Sequence, residues 1–91
     1  MVTTEQLYSI FLQHPNIITD SRQVKAGDLF FALKGERFDG NQFAQKALEQ
    51  GAAYVVVDDA TVVSSAQFLL VEDTLLALQQ LAQFHRRHFD I

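Results

Sequence analysis

Two short polar stretches carry the side chains of this chain that can do chemistry. The first is Thr19-Asp20-Ser21-Arg22, where a hydroxyl stands beside a guanidinium. Arg presents a rigid fork of donors that matches carbonyl or phosphate oxygens, and Ser adds a small rotatable donor. The same four residues also suit an Asx-type turn, with Asp20 or Ser21 bonded to its own backbone and Arg22 in water. The second stretch is Lys34-Gly35-Glu36-Arg37-Phe38-Asp39-Gly40-Asn41. Here Phe38 can stack on a planar base while backbone groups freed around the two glycines read its edge. The competing reading is a surface turn with Phe38 tucked into the core.

Other candidates have plainer explanations. His85 falls on an apolar helical stripe and reads as a packed or half-buried residue. Arg86-Arg87 is favourable charge near a helix C-terminus. Asp58-Asp59 reads as a turn, without enough neighbouring carboxylates for a metal, and Phe30-Phe31 reads as core. Neither a G-x-x-x-x-G-K-[ST] nor a G-x-G-x-x-G loop occurs, nor a G-x-S-x-G nucleophile turn. There is no Cys, and His14, His85 and His88 lie far from any carboxylate cluster with ligand spacing, so no metal site is expected. No catalytic constellation assembles from these residues. A net charge of -4 argues against nucleic acid, whose affinity needs a basic face, while a small anion held by local donors stays open. No apolar run reaches the roughly 20 residues of a membrane span. The start lacks the basic and apolar regions of a signal peptide. No membrane insertion and a cytoplasmic location are therefore expected.

These stretches need elements to hold them. At 91 residues the chain reads as one domain with no linker or repeat. Thr3 or Thr4 caps a first helix, with Gln6 completing a capping box and Leu7, Ile10 and Phe11 facing inward. Pro15 ends it by disfavouring helix at His14. Ile17-Ile18 is a short strand leading into the first polar stretch. A tight turn at Lys25-Ala26-Gly27-Asp28 precedes Leu29-Phe30-Phe31-Ala32-Leu33, a continuous apolar strand buried on both faces. A helix is expected from about Gln42 to Gln50, with Phe43, Ala44, Ala47 and Leu48 inward and Gly51 at its C-terminal stop. Tyr54-Val55-Val56-Val57 and Gln67-Phe68-Leu69-Leu70-Val71 are further strands. Asp73 or Thr74 caps a last helix with the stripe Leu75, Leu78, Leu81 or Ala82, His85 and Phe89. Alternating strands and helices predict a small three-layer α/β domain, its sheet mixed or mostly parallel with about four to five strands. Both polar stretches then sit at the carboxyl ends of strands, where α/β sheets tend to bind ligands.

Four segments taken in order resemble a known pattern: T-D-S-R (19–22), K-x-G-D-L-F-F-A-L-K-G (25–35), E-R-F-D-G-N-x-F (36–43) and Q-G-A-A-Y-V-V-V (50–57). The pattern is that of the N-terminal domain of Mur ligases, in the form shared by MurE and MurF. It covers residues 16 to 57 closely and the flanking helices more loosely. The resemblance implies ATP-driven amide formation through an acyl phosphate on UDP-N-acetylmuramic acid peptides, in peptidoglycan biosynthesis. It implies that residues 1–91 are the UDP-substrate-binding N-terminal domain. The family's central domain, with the sites for ATP and Mg2+, and its C-terminal domain then lie outside this chain, which alone is inactive and holds no cofactor.

Within the family, the stretch from Lys34 to Gly40 is most similar to the MurF branch. That branch adds D-alanyl-D-alanine to UDP-N-acetylmuramoyl-tripeptide. A MurE-type domain and a stand-alone nucleotide-binding or interaction module are the alternatives. Position by position, the resemblance implies that Ser21 and Arg22 contact the uridine or diphosphate, and that Gly35, Glu36, Arg37 and Phe38 wall the uracil. Asp20, Asp39, Gly40 and Asn41 are turn-shaping residues in the same reading. Asn41 stands where the family most often has His, which removes any contact an imidazole would make but keeps a donor and an acceptor.

Overall fold

A computed structural model describes residues 1–89, with Phe89 described as helical backbone only. The Phe89 side chain expected on the last helix's stripe, and the chain end at Asp90 and Ile91, lie outside the described residues.

Helix α1 spans Thr4–Gln13 and starts on the expected capping box. The Gln6 N–H donates to the Thr3 hydroxyl at 3.2 Å, and the Thr3 N–H donates to Gln6 Oε1 at 2.9 Å. Two donors that the helix itself cannot pair are thereby satisfied. Strands β1 (Ile17–Ile18), β2 (Leu29–Phe31), β3 (Tyr54–Val57) and β4 (Phe68–Leu70) form one parallel sheet in the order β1-β2-β3-β4. Helix α2 spans Ala44–Glu49 and α3 spans Thr74–Phe89. The sheet is wholly parallel, which explains why its middle strands read as unbroken apolar runs.

Successive strand residues point to opposite faces. Leu29, Phe31, Val56 and Leu69 therefore meet Leu7 of α1 and Ala77 and Leu81 of α3 on one side. Phe30, Val55, Val57 and Phe68 meet Ala44 and Ala47 of α2 on the other. The three small alanines at 44, 47 and 52 bring α2 close to the sheet, and the result is a three-layer sandwich.

Four local differences from the expectation have physical causes. Strand β2 stops at Phe31, because the Leu33 N–H donates to the Phe31 carbonyl at 3.1 Å and folds the chain out of the sheet. The expected helix over 42–50 is split, with Gly40–Phe43 forming a 3-10 turn before α2 begins. That turn rotates Phe43 out of the core, leaving it 39% exposed. The buried face of α3 is shifted, so that Thr74, Ala77 and Leu81 point inward and Leu75 is 52% exposed. Asp73 caps this helix by accepting from the Leu76 N–H, while the Thr74 hydroxyl donates to the Ala32 carbonyl at 2.8 Å. Anchoring Thr74 in the core sets the helix rotation and turns Leu75 to solvent.

The Lys25–Asp28 turn closes with the Asp28 N–H donating to the Lys25 carbonyl, and Gly27 takes φ +86°. A side chain is strained at that angle, which is why glycine stands there. Gly51, with φ +116°, ends the α2 segment in the same way.

Candidate functional site

The chain leaves β1 and β2 at the same edge of the sheet, and the two polar stretches meet there. They enclose an open cleft of about 560 Å³ lined by Thr19, Asp20, Ser21, Arg22, Phe30, Phe38, Gly40, Phe43 and Lys46. Its floor is apolar, from Phe30 at the strand. Its walls carry two exposed aromatic rings and three charges.

The first wall is built by Asp20. Its carboxylate caps a 3-10 turn over Ser21–Gln23 by accepting from the Arg22 N–H at 2.9 Å. The same carboxylate accepts from Arg22 Nε at 3.1 Å and Nη2 at 2.9 Å, a bidentate pair. These bonds from Arg22 hold the Asp20 carboxyl below the ordinary carboxylate range and raise the Arg22 guanidinium. The Arg22 side chain is 83% exposed, so the pair lies at the mouth of the cleft. The turn fixes Ser21 half-buried between them.

The second wall is a small hairpin. Lys34 and Asp39 pair as an antiparallel bridge, and the Gly35 N–H donates to the Phe38 carbonyl at 2.9 Å. The Phe38 ring lies across Gly35, where a Cβ would collide with it, and is 58% exposed. Phe38 is therefore a cleft wall and is not tucked into the core. Gly40 sits against the backbone of Leu33, whose oxygen would be 2.5 Å from an added Cβ.

Behind this hairpin lies a second polar group of a different kind. Asn41 is buried, and its Nδ2 donates to Asp39 at 2.7 Å and to Asp58 at 2.8 Å. Its Oδ1 accepts from the N–H groups of Asp58 and Asp59. Asp58 also accepts from the Thr74 N–H at 3.1 Å and meets Lys34 Nζ at 3.4 Å. Burial raises the Asp58 carboxyl, but the bonds from Asn41 and Thr74 and the Lys34 charge outweigh it, and the net shift is downward. No buried side-chain nitrogen or oxygen among the described residues lacks a partner.

Of the residues expected at a ligand, Ser21, Arg22 and Phe38 line the cleft together with Asp20 and Gly40. Gly35, Glu36 and Arg37 are exposed on the hairpin outside the lining, and Asp39 and Asn41 stand behind it. Phe43 and Lys46 line the cleft without having been read as site residues. Their signal was present in the spacing, since positions three apart share a helix face. The assumption that Phe43 faces inward concealed it. Asp58 was read only as part of a turn, and its partners come from three separate segments. Among the described residues no group of three or more His, Cys, Asp or Glu side chains can hold a metal ion. No helix among them is long and apolar enough to cross a membrane.

A four-stranded parallel sheet flanked by helices matches the N-terminal domain of solved MurF ligases. The MurF ligase of Thermotoga maritima, crystallised with ADP, superposes with a TM-score of 0.78 at 36% identity, over 86% of this chain and 18% of that one. The UDP-N-acetylmuramoyl-tripeptide–D-alanyl-D-alanine ligase of Synechocystis is 49% identical over 79 residues, 84% of this chain and 17% of that protein. The UDP-N-acetylmuramoyl-L-alanyl-D-glutamate–2,6-diaminopimelate ligase of Aquifex aeolicus is 50% identical over 62 residues, 68% of this chain and 13% of that protein. The family described as "Mur ligase family, catalytic domain" matches residues 15–86. The chain belongs to the Mur ligase family. It spans less than a fifth of the length of these relatives.

Proposed function

We propose that the cleft between Thr19–Arg22 and the Phe38 hairpin grips the UDP end of a UDP-N-acetylmuramoyl peptide. The chain is then the substrate-anchoring domain of a longer ATP-dependent ligase that adds D-alanyl-D-alanine to UDP-N-acetylmuramoyl-tripeptide. The observation that carries this reading is the convergence of an exposed ring, a hydroxyl and a guanidinium on one apolar-floored cleft. An aromatic ring offers a face to a pyrimidine, and charge-assisted donors suit a diphosphate. The names of the relatives support the same substrate class. The role is positional: holding one end of a long substrate fixes where its far carboxylate can react.

The residues present do not fit ATP or Mg2+. The sequence has no phosphate loop, and the described residues have no cluster of three metal ligands. On this reading the phosphoryl chemistry is the task of other domains, and no step of it is assigned to these side chains. The similarity to the Aquifex aeolicus protein keeps a MurE-type ligase as the second reading. Reading the gene beyond Ile91 separates the two, because their later domains differ.

Titration of the 91-residue chain with UDP-N-acetylmuramoyl-tripeptide, followed residue by residue in amide NMR spectra, tests the site. Shifts are expected at Thr19–Arg22, Phe38 and Phe43, with a tenfold or greater loss of affinity in Arg22→Ala. Shifts confined to another face, or unchanged affinity in both Ser21→Ala and Arg22→Ala, would overturn the assignment. ATP hydrolysis by this chain alone would overturn the division of labour.

A further inference from the structure

We propose that Lys46 is the cation that meets the phosphate charge of the bound ligand, a role the Thr19–Arg22 turn does not fill alone. This inference rests on the uridine-nucleotide reading above. Three charged residues line the cleft: Asp20, Arg22 and Lys46. Arg22 directs both Nε and Nη2 at the Asp20 carboxylate, so that pair is internally neutral. Lys46 forms neither an ion pair nor a side-chain hydrogen bond among the described residues. Of the other cations near this edge, Lys34 is held by Asp58, and Arg37 stands outside the lining. Lys46 is therefore the one uncompensated positive charge in the cleft among the described residues.

The placement follows from the fold. Phe43 closes the 3-10 turn and Lys46 lies in the first turn of α2, three positions on. That spacing puts both side chains on one flank of the helix, beside the Ala44 and Ala47 face that packs on the sheet. The surrounding protein carries a net charge of -4, so an anion gains no attraction from the molecule as a whole. Screening confines useful attraction to about 8 Å at physiological salt, which makes a local cation decisive. A flexible ammonium can also follow either phosphate of a diphosphate, whereas the guanidinium, held on Asp20, offers its remaining N–H groups from one fixed position.

The test compares two probes, UDP and uridine, on the 91-residue chain and its Lys46→Gln and Lys46→Arg variants by NMR titration. Lys46 is exposed, so both variants are expected to keep the wild-type amide spectrum away from α2. Lys46→Gln is expected to weaken UDP roughly three- to tenfold, to leave uridine unchanged and to flatten the salt dependence of UDP binding. Lys46→Arg is expected to retain most of the UDP affinity. An unchanged ratio of UDP to uridine affinity in Lys46→Gln would overturn this inference and leave the nucleotide reading standing. Failure of the wild-type chain to bind either probe would overturn both.

Discussion

The carboxyl edge of the sheet holds two polar patches that sit side by side and behave in opposite ways. Around Asn41, Asp58 and Thr74 the side chains are bonded to other parts of the chain, with Asn41 and Thr74 buried and Asp58 half-buried. Around Ser21, Phe38 and Lys46 rings and charges stand open over an apolar floor. Both patches draw on loops that follow strands, so position in the fold does not separate them. What separates them is whether the polar groups have partners within the chain. The closed patch ties the ends of β2 and β3 to the start of α3. It thereby gives the Phe38 hairpin a fixed base, since Asp39, which closes the hairpin, accepts from Asn41.

The largest expected effect of a single change is therefore in the closed patch. Asn41→Ala leaves the carboxylates of Asp39 and Asp58 short of a donor and two backbone N–H groups short of an acceptor. Buried groups left without partners cost about 1–3 kcal/mol each, and partial access to water limits the total to about 3 kcal/mol. For a domain of this size that lowers Tm by roughly 10–20 °C in a thermal melt. A melt within a few degrees of wild type would mean that the patch is ornamental. A smaller effect is expected from acid. Because the Asp58 carboxyl is depressed in the folded state, its contribution is present above the ordinary carboxylate value of about 3.9. It is lost as pH falls through the lower folded value. The stability gap between wild type and Asp58→Asn, measured by urea denaturation, should narrow below about pH 4. A gap constant across the acid range would show that the Asp58 charge is not what the patch uses.

The same contrast explains how much could be read from the chain itself. The strands were legible because parallel pairing buries both faces, and Leu29-Phe30-Phe31 and Tyr54-Val55-Val56-Val57 leave little room for another reading. The first helix was legible because its cap lies within four residues. The open patch was half legible: Ser21, Arg22 and Phe38 sit in short motifs, whereas Phe43 and Lys46 depend on the 3-10 turn that rotates them outward. The closed patch was not legible, since Asn41, Asp58 and Thr74 are separated by 17 and 16 positions and signal nothing locally. Thr74 also hid the rotation of α3, because its bond to Ala32 outweighs the apolar pull of Leu75.

Two glycines bring the comparison to its finest scale. A methyl group on Gly40 would meet the Leu33 oxygen at 2.5 Å, which is backbone and cannot move without opening the closed patch. For a methyl group on Gly35 the nearest atoms would be those of the Phe38 ring, the far end of a side chain that is 58% exposed. Gly40→Ala is thus expected to cost about 2 kcal/mol or more, by the route of overpacking against fixed atoms. Gly35→Ala should stay within about 0.5 kcal/mol of wild type in stability, as surface changes do. Yet it should alter nucleotide affinity, because it displaces the ring that walls the cleft. Urea melts of the two variants, paired with a UDP titration of Gly35→Ala, separate these effects. If Gly35→Ala proved as unstable as Gly40→Ala, the Phe38 hairpin would be as rigidly held as the Asn41 patch, and the cleft would be a preformed wall instead of an adjustable one.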